Sequence, residues 1–416
     1  MTSDAKRKEQ AVTAESTFGT APGDWDSGPT QFHAFDFDGS GVGQAAVENQ
    51  NYHSRPAAYH PHVMGLKSGG TFSYKTWWTS TGTNAAEQGT AAQDALDTMA
   101  RAAIGGVHAG DADGFTTGGS AATPDMDTIA QWAIGDWMFA VDADDGDGEF
   151  IQVKALPGAA AITPHRTLSF TPVDADTAYA VITWFPDTDA LSNNADSEYK
   201  TNSFFWKGHG AEDLREYLGC KGTFQVSGLN AGEKPTLNWS WMVTDFNFET
   251  LSAPTFGATP EGQPPLVTGT GDDSYFYYGT QGTYTSTNLH AIDVAITYAW
   301  TAVPAVNGIE GVGHYFGLYT DTMVTLTLPF DDDYATDYRA GTEKCMLLQI
   351  GNTVSQAVGI HCPRLQIIEE PKDVEIGGGR RASQIKCRAL ENDTSHSLTG
   401  ADMEKFLAGI QFLRVA

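Results

Sequence analysis

The residues with the most evident capacity for chemistry are acidic. Asp142-Ala143-Asp144-Asp145-Gly146-Asp147-Gly148-Glu149 crowds carboxylates together as a hard cation such as calcium requires. The run departs from an EF-hand loop, because Gly146 falls at the fifth position and Val153 at the twelfth, where a bidentate Glu belongs. A solvated turn is the expectation there, and Asp111-Ala112-Asp113-Gly114 and Asp331-Asp332-Asp333 read the same way. His60-Pro61-His62 could supply two imidazoles, but Pro61 imposes an extended backbone and no nearby Cys or third His completes a tetrahedral set. Gly377-Gly378-Gly379-Arg380-Arg381 is loose enough to cradle phosphate yet lacks the Lys-Ser/Thr ending of a P-loop. Cys220, Cys345, Cys362 and Cys387 form no C-x-x-C pair, which predicts free thiols of a reducing cytoplasm. The sequons at Asn238 and Asn392 have no secretory signal to give them meaning. No H-E-x-x-H, no G-x-S-x-G elbow and no distinguished carboxylate pair is present, so the expectation is a protein without enzymatic activity, cofactor or metal.

The elements that would position any site are strands. Forty-five Gly, abundant Thr, Ser and aromatics, and only 18% charged residues in a chain of 416 favour a mainly β fold. Tyr217 to Val243 carries the clearest pattern. Phe224 and Val226, then Leu237, Trp239, Trp241 and Val243, alternate with polar neighbours across a turn-forming Gly228 to Pro235, which predicts a long antiparallel hairpin with the apolar set in the core. Gly69 to Trp78, Thr167 to Phe170, Tyr179 to Phe185, Ser203 to Lys207, Ala291 to Trp300, Gly317 to Leu328, Lys344 to Ile350, Val358 to Ile368 and Ser383 to Ala389 read as further strands. Ala91 to Ile104 reads as a helix with Leu96, Met99, Ala100 and Ala103 on one buried face, stopped by Gly105-Gly106. Short helices are also expected over Tyr334 to Ala340 and over Leu398 to Leu413, the latter capped by Thr399. Val47 to His62 reads as an extended arm, Val107 to Gly158 as an insertion or long loop with an apolar patch at Trp132 to Val141, and Pro254 to Pro265 as a linker. No apolar run is long enough for a membrane helix. A net charge of −28 opposes non-specific nucleic-acid binding, and suits either a saline environment or a surface that must not hold DNA.

Several pieces resemble one family. Gly219-Cys220-Lys221-Gly222-Thr223 through Ser227, followed by Ala231-Gly232-Glu233, Pro235, Leu237, Trp239 and Trp241, is similar to the hairpin signature of tail tube proteins of long, non-contractile-tailed bacteriophages and related archaeal viruses. Glu15-Ser16-Thr17-Phe18-Gly19-Thr20-Ala21-Pro22 resembles their E-T-T-Y-G-T-x-P opening, and Gly65-Leu66-Lys67-Ser68 their G-x-K-S lead-in to a strand. Ala340-Gly341-Thr342 and Ile360 to Ile367 resemble two further pieces. Gly317-Leu318-Tyr319-Thr320 repeats the lead-in at Gly65, and a short helix follows in both places, which hints at an internal duplication.

The resemblance implies tail-tube-type β-sandwich or barrel domains with a packed short α-helix, duplicated in tandem. The expected division is residues 1–29 as an N-terminal arm, 30–252 as a first domain with the insertion, 253–269 as a linker and 270–416 as a second domain. It further implies a structural virion protein, made in the host cytoplasm, that polymerises into stacked rings conducting viral DNA without binding it specifically. Its partners would be itself, with a trimer of duplicated subunits favoured over a hexamer, and other tail proteins, with no membrane. Thr71, Ser73, Thr325 and Thr327 are candidates for a lumen-facing polar strand face, and Phe224, Val226, Leu237, Trp239 and Trp241 for the core. The alternative is a carbohydrate-binding or hydrolytic β-sandwich with Trp77, Trp78, Trp184 and Trp206 as stacking platforms.

Overall fold

A computed structural model describes residues 9–16, 18–20, 25, 30–48, 62–68, 70–81, 89–90, 94–158, 160–186, 201–207, 214–247, 274–280, 285–310, 312–392 and 408–416. The described part is mainly β, with curled antiparallel sheets. In chain order the first strands are β1 (Glu9–Ala14), β2 (Thr30–Phe32), β3 (Phe35–Asp38), β4 (Gly43–Glu48), β5 (His62–Ser68), β6 (Thr71–Trp77) and β7 (Gly89–Thr90). After helix α1 (Ala95–Ile104) come β8 (Gly105–Ala109), β9 (Asp111–Ser120), β10 (Thr123–Met126), β11 (Trp137–Val141), β12 (Gly148–Ala155), β13 (Thr163–Pro164) and β14 (Thr177–Pro186). Then follow β15 (Asn202–Lys207), β16 (Leu214–Ser227), β17 (Thr236–Met242), β18 (Asp245–Asn247), β19 (Ser274–Thr280), β20 (Thr285–Ser286), β21 (Ala291–Ile309) and β22 (Val312–Pro329). Helix α2 (Asp333–Ala340) leads to β23 (Glu343–Ile350), β24 (Val358–Ile367), β25 (Lys372–Ile376), β26 (Arg380–Ala389) and β27 (Gln411–Val415).

Two antiparallel ladders share one strand order. The first runs β1-β15-β16-β17-β6, with α1 in the connection that leaves β6. The second runs β19-β23-β24-β26-β22, with α2 in the connection that leaves β22, and β25 prolongs β24 along β26. The third strand of each ladder carries one extra residue at the same place. Asn202 and Phe204 face Cys220 and Tyr217, while Lys344 and Met346 face Leu365 and Cys362, which is a bulge in each third strand. Following the partners across each ladder sets Trp241 beside Phe72 and Cys387 beside Val324. Phe72 and Val324 stand 252 residues apart (324 − 72), the spacing of Gly65 and Gly317 (317 − 65) in the repeated lead-in.

One apolar core draws on both ladders, with Phe72, Tyr74, Trp239 and Trp241 from the first and Val324, Leu326, Ile360 and Ile385 from the second. Alternation produces this, since inward and outward positions must be two apart on a strand. Helix α1 touches β1 and β16 on one side and β8 and β14 on the other, so it buries eight of its ten residues rather than a single face. Asp94 caps it, accepting from Leu96 N and Asp97 N while Asp97 Oδ2 accepts from Asp94 N, a capping box. Gly105, at φ 95, ends it.

The region expected as a long loop is strand. β9, β14, β11, β12 and β13 are joined in that order, β10 pairs back onto β9, and a bridge from Asp125 to Ala161 closes a small barrel. Phe115, Met126, Trp132, Met138, Ile151, Val153, Ile162 and Leu168 fill it. Its strands hide from a hydropathy reading because β9, DADGFTTGGS, spends its positions on Gly, Asp and Thr. Thr167 to Phe170, expected as a strand, is irregular: Ser169 gives its N–H and hydroxyl to the Glu149 carboxylate instead of a ladder. The expected helix at Leu398 to Leu413 is corrected in its described part, where β27 lies between β14 and β24. Thr399, Met403, Phe406 and Leu407 lie outside the described residues, as do the expected linker at 254–265 and most of the arm at 47–62. Pairing of β14 with β27 joins strands from both sides of that linker. No helix among the described residues is long and apolar enough to cross a membrane.

Candidate assembly surfaces

The seam between the ladders is built on β16 and β21. Gly222 can have no side chain, because a Cβ there would stand 2.4 Å from the Trp241 ring; Gly219, at φ 59, takes a backbone conformation that glycine favours. Those two glycines seat the third strand of the first ladder close to its neighbours, with Lys221 between them. Lys221 is buried, its ammonium 4.1 Å from the centre of the Trp300 ring on β21, and burial pulls its pKa down to about 7. Tyr315 on β22 shares a 2.8 Å hydrogen bond with Thr244, and its ring meets Phe18 edge-on. Burial raises the Tyr315 phenol to about 12. The hairpin of the second ladder is thereby held against the edge of the first.

Glu15 anchors the N-terminal side of the seam. Its buried carboxylate accepts from Gly19 N at 2.7 Å, Gly219 N at 2.7 Å, Thr201 Oγ1 at 2.6 Å and Ser203 Oγ at 2.6 Å. Four donors satisfy a carboxylate that would otherwise be expensive to bury. The resemblance marked Glu15 and Gly19 but gave no reason for either; Glu15 ties β15 and β16 to the first turn of the chain.

A second buried network lies at the far side of α1. The Arg414 guanidinium reaches Asp94 at 2.7 Å and Asp97 at 3.2 Å, and Trp184 Nε1 donates to Asp97 Oδ1 at 2.7 Å. Burial raises Asp97, and Asp94 beside it adds to the rise, to about 7 against the pull of Arg414. Asp94 is half-buried, and Arg414 and the cap hydrogen bonds hold it below the usual range against the cost of desolvation. One arginine cannot fully serve two adjacent carboxylates, so the cap residue keeps the charge and Asp97 holds a proton more readily. A lone Arg inside the apolar run Gln411-Phe412-Leu413-Arg414-Val415 was the available signal for this network.

On the outward side of the strands each ladder presents an open groove. The first, of about 490 Å³, is lined by Ser73, Thr223, Gln225, Asn238 and Ser240, and by Ile296 and Thr297 from β21. The second, of about 270 Å³, is lined by Thr325, Glu369, Glu370, Lys372, Gln384 and Lys386. Ladder partners make them equivalent. Ser73 faces Ser240 as Thr325 faces Lys386, and Gln225 faces Asn238 as Lys372 faces Gln384. The first groove is hydroxyl and amide, whereas the second carries a Lys386–Glu369 pair at 2.5 Å.

Among the proposed polar-face residues Thr71 and Ser73 are exposed, Thr325 is half-buried and Thr327 is buried; Ser73 and Thr325 occupy matching grooves. Phe224, Val226, Leu237, Trp239 and Trp241 are all buried. Trp78, Trp184 and Trp206 are buried, whereas Trp77 is exposed at 38%, with the Phe35 ring centre 4.8 Å from its own. The four cysteines are buried free thiols. The Asp142 to Glu149 carboxylates turn to local partners, with Asp142 Oδ1 accepting from Asp144 N and Asp147 Oδ1 from Asn352 Nδ2. Among the described residues no three His, Cys, Asp or Glu side chains converge as a metal would need. Compared with known proteins, the chain matches no protein-family model and no curated protein.

Proposed function

We propose that this chain is a structural subunit of a viral tail tube: a tandem duplication whose copies close into rings, stacked into a conduit for viral DNA. The observation that carries the reading is the pair of ladders with one strand order, one bulge position and one spacing of 252 residues between matching strands (324 − 72). Chance does not supply five strands, a bulge and a sequence echo in the same register. The resemblance of the Gly219 to Trp241 hairpin to tail tube proteins gives the duplicated unit its role.

With two units per chain, a ring of six units takes three chains. Joining strand edges between neighbours removes exposed edges that would otherwise recruit other chains at random. The polar grooves at Ser73 and Thr325 would look onto the lumen, and the charge of −28 keeps passing DNA from adhering. The role is structural and not enzymatic, and its site is the virion tail. Burial of Trp78, Trp184 and Trp206 counts against the carbohydrate-binding alternative, since a ring inside the core cannot stack on a sugar. Negative-stain microscopy with analytical ultracentrifugation of the purified protein tests the reading. Rings or tubes with three chains per ring are expected; a monomer at every concentration sinks the tube, and six chains per ring sinks the duplication.

A further inference from the structure

Resting on that reading, we infer that the seam between the two ladders within a chain is the template for the contact between chains. The β3–β4 edge of one copy docks along β24 and β25 of a second copy, as β21 docks along β16 within each.

The donor edges correspond residue by residue. Asp293 on β21 faces Thr325, and Asp38 on β3 faces Ser73, which is the match of Thr325. Four residues further on, Thr297 is exposed and lines the groove of the first ladder, while the same count from Asp38 reaches Val42, half-buried against the core just before β4. Gly43 then pairs with Ser68, so the second hairpin, β4 with β5, runs out from its ladder as β21 with β22 does.

The acceptor edges correspond as well. Beyond Lys221, β16 is hydrogen-bonded to β17 alone, and its other edge is covered by β21. Ile368 N donates to Lys386 O, and Lys372 pairs with Gln384, so this stretch is bonded to β26 in the same manner. Within the chain no hairpin lies beside that edge among the described residues, and Lys372 is exposed. A strand edge whose twin is covered by a hairpin, and a hairpin whose twin covers an edge, fit one another in the next copy. The contact is heterologous, and a two-unit chain repeating it closes a ring when the turn per unit divides the circle.

Two single-cysteine chains, Val42→Cys and Lys372→Cys, mixed and treated with a short bis-maleimide, test this. The native cysteines are buried and serve as the background measured in each variant alone. A covalent dimer from the mixture, absent from either variant alone, is expected. Thr297→Cys with Gln225→Cys in one chain should cross-link internally at any dilution, which checks the template itself. If rings or tubes form in the mixture without the covalent dimer, the contact is placed wrongly while the tube reading stands. If no assembly forms at any concentration, both fall together.

Discussion

In the first ladder Phe72, Tyr74, Trp239 and Trp241 face inward, with Phe204 packed 4.7 Å from Trp241. At the matching ladder positions of the second stand Val324, Leu326, Ile385 and Cys387. The same register is filled by rings on one side and by branched aliphatics and sulfur on the other. The difference teaches that strand order and bulge position rest on alternation and connection, while side-chain identity adjusts thickness. Helix α1, buried nearly all round, needs a broad aromatic floor; α2 buries only Tyr334 and does not. The outward faces diverge too, neutral in the first groove and charged in the second.

The sharpest way to break that comparison is to truncate matching residues. Trp241→Ala should cost about 3–5 kcal/mol by leaving a ring-sized cavity, and Cys387→Ala roughly 1 kcal/mol. Urea midpoints measure both, and equal losses would mean that the aromatic floor carries no special weight. Arg414→Met comes next, since it strands the buried Asp97 carboxylate and the half-buried Asp94 beside it and should cost about 3–5 kcal/mol near neutrality. Asp97 in the native fold holds its proton up to about pH 7. Its folded pKa lies above the unfolded one, so stability from this group is full below the unfolded value and declines as pH rises through 7. The Arg414→Met deficit should therefore shrink at pH 5 relative to pH 8, and a deficit independent of pH would refute the charge account.

Lys221 gives the opposite sign. Its folded pKa of about 7 lies below the ordinary value of 10.5, so the unfolded chain holds the extra proton between these limits. Stability should climb with pH across that window, by at most about 1.4 kcal/mol per unit, and Lys221→Met should abolish the slope. The smallest effect belongs to the groove. Ser240→Asp should change stability by less than about 0.5 kcal/mol, whereas Trp241→Asp, one residue on, should prevent folding. A destabilising Ser240→Asp would reverse the facing of β17.

The hairpin of β16 and β17 was legible because Trp239 and Trp241 alternate with Asn238 and Ser240 in a window that contains its own turn. Both helices were legible from their glycine stops. The small barrel was not, since Gly118, Gly119 and Asp113 carry no periodic apolar signal and pairing between β9 and β14 spans distant sequence. The candidate seam was half legible. Gly219 and Gly222 stood out as a motif, but Trp300 above Lys221 and the four donors around Glu15 come from elements brought together only by folding.

The pairing of Arg414 with Asp94 has a consequence in time. The two residues are 320 positions apart. At ribosomal speeds of about 5–20 residues per second, Arg414 emerges roughly 15–60 s after the helix it neutralises. Until then α1 holds its carboxylates without their guanidinium, and β27 has not filled the gap between β14 and β24. A nascent chain thus lacks the ion pairs of α1 and the strand that joins β14 to β24 until its residues past 410 are made. On the proposed tail-tube reading, polymerisation would wait until β27 has been made and paired, and a chain terminated before Arg414 would be left out of the polymer.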